Sequence, residues 1–116
     1  PGRARTGGSA LAQVFGQIGD EAPDLEDPGL LARAYELVQG LIAEDRILSG
    51  HDRSDGGLAV ALLEMAFSGN CGIEIDLPAA GGDRPPDDIA LLFAEELGLL
   101  VEVSPEDAGL LRERAA

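Results

Sequence analysis

The sequence predicts an α+β domain in which helices pack on a small mixed or antiparallel sheet. Three observations predict this class: apolar residues recur at helical spacing in several segments, short apolar runs lie between those segments, and residues 73–77 alternate apolar with acidic side chains. Alternation leaves one face of a strand open to water. A mixed or antiparallel sheet is therefore favoured over a fully buried parallel one.

The first half of the chain predicts two helices followed by a strand. A short helix is expected within 7–20, with Ser9 as its N-cap. Asp27 and Pro28 have the order of an N-cap and a first helical residue, which starts a helix over 28–44, and the apolar run 46–50 is a strand. The expected inward faces are Leu11, Val14, Phe15 and Ile18 in the first helix and Leu30, Leu31, Ala34, Leu37, Val38, Leu41 and Ile42 in the second.

The second half repeats the alternation of helix and strand. The expected elements are a helix over 57–67, a strand over 73–77, a flexible Pro/Gly loop over 78–88, a helix over 87–97, a strand over 98–104 and a helix over 105–114. Ser104 is expected to cap the last helix. The inward face of helix 57–67 is formed by Leu58, Ala61, Leu62, Met65 and Ala66.

Length, charge and cysteine usage limit the possible functions. The 116 residues are enough for one domain, 1–116, and the net charge of −14 disfavours binding to nucleic acid or to anionic membrane surfaces. No apolar run approaches the roughly 20 residues of a membrane span. A lone cysteine, Cys71, excludes an internal disulfide, and together with the lack of a visible secretory signal it predicts a cytoplasmic protein.

Residues 52–57, "DRSDGG", form the most informative stretch, because they join a predicted strand to a predicted helix. Asp55 is placed to cap the helix, and Gly56 and Gly57 remove side chains where a backbone or a ligand must come close. An aspartate at a strand end, such as Asp52, suits Mg²⁺, which takes one or two carboxylates together with waters and phosphate oxygens. The Ser54 hydroxyl suits a phosphate or sugar. A plain turn with a helix cap explains the same spacing.

A family resemblance adds to this interpretation. Residues 50–77, "GHDRSDGGLAVALLEMAFSGNCGIEIDL", closely resemble a segment of the phosphoribosylformylglycinamidine synthases in their large, multidomain form. The resemblance continues through 7–31 and 91–103 and so covers nearly the whole chain. The segment resembles the second of the two C-terminal domains of aminoimidazole ribonucleotide synthetase type in those enzymes.

The resemblance implies a fragment of an ATP-dependent, glutamine-using ligase of purine biosynthesis, which converts formylglycinamide ribonucleotide to formylglycinamidine ribonucleotide. It implies that Asp52 is a magnesium ligand and that Ser54 contacts the nucleotide, in a site that holds a structural ADP. The other metal ligands and the glutaminase residues would belong to further domains of the parent synthase. No residue of this chain is predicted to be catalytic, and the chain is expected to be incomplete at both ends, inactive alone and prone to self-association.

For several residues, and for the function, the sequence supports more than one interpretation. His51, the only histidine, is either a general base or structural, and Cys71 is expected to be a buried, small apolar residue. Glu95 and Glu96 either orient a substrate or a neighbouring domain, or form a solvated helix end. The alternative functions are a non-catalytic acidic interaction module, in which the loop only caps a helix, and a domain from another member of the same ATP-binding superfamily.

Overall fold

The computed structural model describes residues 3–77 and 87–116, which form five helices and two strands. The chain divides into two compact units: Pro1–Asp24 with Asp52–Gly98, and Leu25–His51 with Leu99–Ala116. In chain order the elements are α1 (Ala10–Val14), α2 (Pro28–Ala43), β1 (Ile47–Asp52), α3 (Gly57–Gly69), α4 (Asp88–Phe93), β2 (Leu99–Val103) and α5 (Ala108–Arg114). The content is α+β, as the sequence predicts.

The first unit contains α1, α3 and α4. Ser9 is confirmed as the N-cap of α1, because its Oγ accepts from the Ala12 N–H at 3.2 Å while its hydroxyl donates to the Thr6 carbonyl at 2.7 Å. The residue is fully buried, so both of its hydrogen bonds are protected from water. The helix itself has only five residues, shorter than the pattern predicts.

Helices α3 and α4 pack closely because α3 begins with a glycine. A Cβ at Gly57 would lie 2.8 Å from the Leu92 carbonyl oxygen and 2.9 Å from that of Ala94, and the φ of Gly57 is +68°. The expectation that a backbone comes close at this position is confirmed. The predicted inward face of α3 is also correct, since Ala61 and Ala66 are buried.

The second unit contains α2, α5 and the sheet. Asp27 caps α2 as predicted, with its Oδ1 accepting from the Leu30 N–H at 3.0 Å. Strands β1 and β2 form a two-stranded antiparallel sheet. Ser49 on β1 donates to the Glu102 carboxylate on β2 at 2.6 Å across that sheet. Leu41 of α2 is 1% exposed and is the largest buried apolar side chain of this unit among the described residues.

Charged side chains join the ends of the elements in the second unit. Arg46, which precedes β1, pairs with Glu44 at 2.9 Å and with Asp107 at the start of α5. Arg114 near the end of α5 also pairs with Glu44, at 2.9 Å. The pKa of Glu44 is lowered first by the hydrogen bond from Arg114, and that of Asp107 first by the hydrogen bond from Ser104. These carboxylates therefore stay ionised to a lower pH than they would without these hydrogen bonds.

The structure corrects several predicted boundaries. Residues 73–77 form no strand, because β1 and β2 pair only with each other among the described residues and a strand needs a partner for its backbone groups. The helix predicted over 87–97 ends at Phe93, and the last helix begins at Ala108 after a turn in which the Ser104 Oγ accepts from the Asp107 N–H. Of the predicted loop 78–88, residues 78–86 lie outside the described residues, while Asp87 and Asp88 cap and begin α4.

The predicted inward faces of α1 and α2 are wrong in large part. Phe15 is 69% exposed. Other residues expected inward but found exposed are Val14, Ile18, Leu30, Leu31 and Ile42. Helix α2 can bury only a narrow stripe, because its own unit offers a two-stranded sheet and one seven-residue helix. Among the described residues, no helix has the length and apolar character required to cross a membrane.

Candidate functional site

The candidate site is the loop between β1 and α3 in the first unit. Strand β1 extends two residues further than predicted and ends at Asp52, and α3 begins at Gly57. Asp52, Ser54 and Asp55 are exposed, while Gly56 and Gly57 are buried. The loop therefore presents two carboxylates and one hydroxyl to solvent above a closely packed helix start.

Asp55 does not cap α3, which corrects the prediction. The N-cap is Gly56, in the left-handed conformation with φ +84°, and α3 has no side-chain cap bond at that residue. Gly56 lies between Asp55 and the helix, so the Asp55 carboxylate is not at the position from which an N-cap side chain accepts. A Cβ at Gly56 would lie 2.2 Å from a methyl carbon of Val60, so the turn requires glycine here.

Glu95 supplies the acceptor that Asp55 was expected to supply. Its Oε1 accepts from the Gly56 N–H at 2.8 Å and from the Ala10 N–H, also at 2.8 Å. One carboxylate oxygen thus satisfies backbone donors at the starts of two helices, α3 and α1. Glu95 lies two residues beyond the end of α4 and is half-buried.

Arg53 holds the other end of the loop. Its backbone N–H donates to the Gly98 carbonyl at 2.9 Å, and its Nε donates to the Glu96 carbonyl at 2.5 Å. The guanidinium lies flat against Gly98, where a Cβ would be 3.3 Å from it. Burial lowers the pKa of Arg53, and attraction to the nearby Glu96 carboxylate opposes that shift. The side chain points into the segment that follows α4 rather than towards solvent.

The Glu96 carboxylate forms a bidentate ion pair with Arg5. Its Oε1 accepts from the Arg5 Nε at 2.7 Å and from the Arg5 N–H at 3.0 Å, and its Oε2 accepts from Nη2 at 2.8 Å. Glu96 is only 8% exposed. The hydrogen bond from the Arg5 side chain is the main cause of its lowered pKa. The solvated helix end that the sequence allowed for Glu95 and Glu96 is therefore wrong.

The donor chemistry of the loop fits Mg²⁺ in part. Within residues 3–77 and 87–116, no group of three or more His, Cys, Asp or Glu side chains is arranged to hold a metal ion. Mg²⁺ commonly takes one or two protein carboxylates and completes its shell with water and phosphate oxygens. An exposed aspartate at a strand end, one residue away from an arginine and two from a serine hydroxyl, is compatible with that mode of binding.

His51 and Cys71 are the other two residues for which the sequence suggested a role. His51 is half-buried in β1, directly before Asp52. Cys71 is exposed, which corrects the buried position expected for it, because Asn70 in the left-handed conformation ends α3 and turns the chain. Reasoning from the sequence missed the contacts of Arg5, Arg53 and Glu95. The signal that could have found them is the pair of adjacent glutamates placed between a helix and a strand.

The fold is α+β with a strand–loop–helix site, and the sequence matches a protein family along nearly the entire chain. Residues 2–115 match the family described as AIR synthase related protein, C-terminal domain, and the chain belongs to this family. It is 48% identical over 114 residues to the human phosphoribosylformylglycinamidine synthase, and 51% identical over 113 residues to the probable phosphoribosylformylglycinamidine synthase, chloroplastic/mitochondrial, of Arabidopsis thaliana. These alignments cover 98% and 97% of this chain, which spans about 8% of the length of either relative.

Proposed function

We propose that this chain is a domain of a phosphoribosylformylglycinamidine synthase. Such an enzyme uses ATP and glutamine to convert formylglycinamide ribonucleotide to formylglycinamidine ribonucleotide in purine biosynthesis. One observation carries the proposal: about half of the residues are identical to two synthases over 97–98% of the chain. The lone cysteine suits a reducing compartment, and we place the protein in the cytoplasm.

Within the synthase, we assign this domain one wall of a Mg²⁺–nucleotide site. Asp52 is the proposed metal ligand, and Ser54 is the proposed hydrogen-bonding partner of the nucleotide, which we infer to be a structural ADP. The support is local: Asp52 ends β1, Ser54 lies in the loop that follows, and both side chains are exposed. The loop is held at Arg53 and Gly56. Bound Mg²⁺ would neutralise phosphate charge, which a domain with a net charge of −14 otherwise repels.

The surrounding reading frame tests the proposal directly. A frame that continues on one side into further synthetase-type domains and on the other into a glutaminase domain supports it. The full-length product should then form formylglycinamidine ribonucleotide only when ATP, glutamine and the substrate are all supplied. A frame that encodes no further domains, together with a purified product that lacks this activity, contradicts the proposal.

The isolated 116-residue chain should neither hydrolyse ATP nor transfer an amide group. It contributes at most one or two carboxylates to a metal, and we assign the glutaminase nucleophile to another domain. The measurement is phosphate release and glutamate formation by the purified chain, with a preparation of the Asp52→Asn chain as the control for contaminating enzymes. Turnover by the original chain that is absent from the control would overturn this expectation.

Exposed apolar side chains of the first unit are proposed to pack against the remaining domains of the parent synthase. Phe15 is 69% exposed and Phe67, on α3, is 74% exposed. Large apolar residues on the surface of a domain mark contacts with a partner when they form a patch. The partner we assign is the parent enzyme, because the chain spans so small a part of its relatives.

The isolated chain should therefore self-associate despite its charge. Burial of one phenylalanine side chain is worth roughly 1.5–3 kcal/mol, so the double substitution Phe15→Gln and Phe67→Gln should weaken association by at least about tenfold. Sedimentation velocity over a range of protein concentrations measures this. Arg112→Gln, at an exposed position of α5, is the control and should associate like the original chain. A sharp monomer at high concentration counts against the prediction.

A further inference from the structure

The loop between β1 and α3 is fixed at its two ends and exposed between them. At one end the Arg53 N–H donates to the Gly98 carbonyl at 2.9 Å. At the other end the Gly56 N–H donates to Glu95 at 2.8 Å. Ser54 and Asp55, between these anchors, are exposed. The direction in which the exposed side chains point therefore depends on the two anchors.

The two anchors differ in kind. At Arg53 one bond joins two backbone groups, and the guanidinium adds a bond from its Nε to the Glu96 carbonyl. The bond at Gly56 is made by a carboxylate, and hydrogen bonds to an ionised acceptor are roughly twice as strong as neutral ones. The same Glu95 oxygen accepts from Ala10, which ties the start of α1 to the start of α3. Glu95 is thus the side chain that holds the α3 end of the loop.

No neighbouring residue of the loop replaces Glu95 in this role. Gly56 has no side chain with which to cap the helix, and Asp55 lies one residue before the N-cap. The carbonyl of Ser54 already accepts from the Gly57 N–H at 2.9 Å. Loss of the Glu95 carboxylate would leave the Gly56 N–H, on a buried residue, without this acceptor.

We infer that Glu95 is a positioning residue for the nucleotide site, which sets the orientation of Ser54 through its bond to Gly56. The inference rests on the nucleotide site proposed above. Glu95 touches neither metal nor nucleotide in this role. A displaced Ser54 would lose about one neutral hydrogen bond to the nucleotide, a factor of roughly 2–10 in affinity. Glu95→Ala should therefore weaken nucleotide binding while the fold persists.

The test is the exchange of bound ADP for labelled ADP on the full-length synthase that carries this chain. Exchange is followed in excess Mg²⁺. Glu95→Ala should exchange roughly 2–10 times faster than the original enzyme. Glu95→Gln keeps one carbonyl acceptor and should exchange faster than the original but more slowly than Glu95→Ala, so it serves as the test if Glu95→Ala does not fold. Glu36→Ala, an exposed carboxylate on α2, is the matched control and should exchange like the original.

Asp52→Asn distinguishes a failure of this inference from a failure of the proposed nucleotide site. Faster exchange in Asp52→Asn with unchanged exchange in both Glu95 variants overturns the positioning role and leaves the nucleotide site intact. Unchanged exchange in Asp52→Asn overturns the nucleotide site and the positioning role with it. The double variant of Glu95→Ala with Ser54→Ala should exchange no faster than Ser54→Ala alone, because Glu95 acts through Ser54. A lower melting temperature with unchanged exchange in Mg²⁺ would mean that Glu95 is only structural.

Discussion

Asp52→Asn in the full-length synthase should yield an enzyme that purifies with little or no bound ADP. The substitution keeps the shape of the side chain and removes its charge, so Mg²⁺ loses a hard anionic ligand. The phosphates then lose the cation that shields them from Asp55, which is exposed on the same loop. The measurement is the nucleotide released after denaturation of the purified variant, expressed per mole of protein.

Stability should fall together with the nucleotide. A ligand that binds only the folded state stabilises it by mass action, and a ligand at one hundred times its dissociation constant contributes about 2.7 kcal/mol. Asp52→Asn should therefore lower the melting temperature measured with Mg²⁺ and ADP present. In EDTA without added nucleotide, the difference in melting temperature between the variant and the original should be smaller, because neither then holds the ligand.

Two neighbouring substitutions control this result. Ser54→Ala deletes about one neutral hydrogen bond, worth roughly 0.5–1.5 kcal/mol, and should deplete ADP more weakly than Asp52→Asn. Asp55→Ala should retain most of the nucleotide. It should also change stability by no more than about 0.5 kcal/mol, since Asp55 is exposed and does not cap α3. If Asp55→Ala loses ADP while Asp52→Asn retains it, the metal is assigned to the wrong aspartate.

Local rules predict the elements whose signals lie within a few residues of one another. Ser9 and Asp27 cap the helices that follow them, as side chains of this type do when apolar residues recur behind them. The inward face of α3 and the close approach at Gly57 follow in the same way from apolar spacing and from a missing side chain. The strand before the loop also follows from local pattern, although it ends at Asp52, two residues beyond the predicted end.

Contacts between distant segments account for the part that local rules miss. Glu95 is 39 residues from Gly56 and 85 from Ala10, and Glu96 is 91 from Arg5. Helical spacing alone leaves a pair of adjacent glutamates solvated, and only the end of α4 at Phe93 directs them inward. The strand predicted over residues 73–77 is absent for a related reason. Alternation shows that a segment can be a strand, but it does not identify a second strand to pair with it.

Glu96→Gln should destabilise the folded chain by about 1.5–3 kcal/mol at pH 7, the cost of losing hydrogen bonds to a charged group. Three Arg5 donors bind the two carboxylate oxygens at 2.7–3.0 Å, and an amide presents N–H donors in place of one of those oxygens. The pair is 11% exposed on each side chain, so water replaces little of what is lost. Chemical denaturation followed by circular dichroism gives the free energy of unfolding, and Glu36→Gln is the exposed control.

The effect of Glu96→Gln should depend on pH in one direction. Hydrogen bonds from Arg5 hold the pKa of Glu96 below its ordinary value of 4.5 in the folded state. The stabilisation from Glu96 is therefore fully present above about pH 4.5, its unfolded value, and is lost as the pH falls through the lowered folded pKa. Glu44 and Asp107 also have lowered pKa values, but both are present in the two proteins and their contributions cancel in the difference.

The difference in unfolding free energy between the original chain and Glu96→Gln should thus be constant from pH 7 to about pH 5 and shrink below pH 4.5. A gap that stays constant to pH 3 would show that Glu96 acts by packing rather than through its charge.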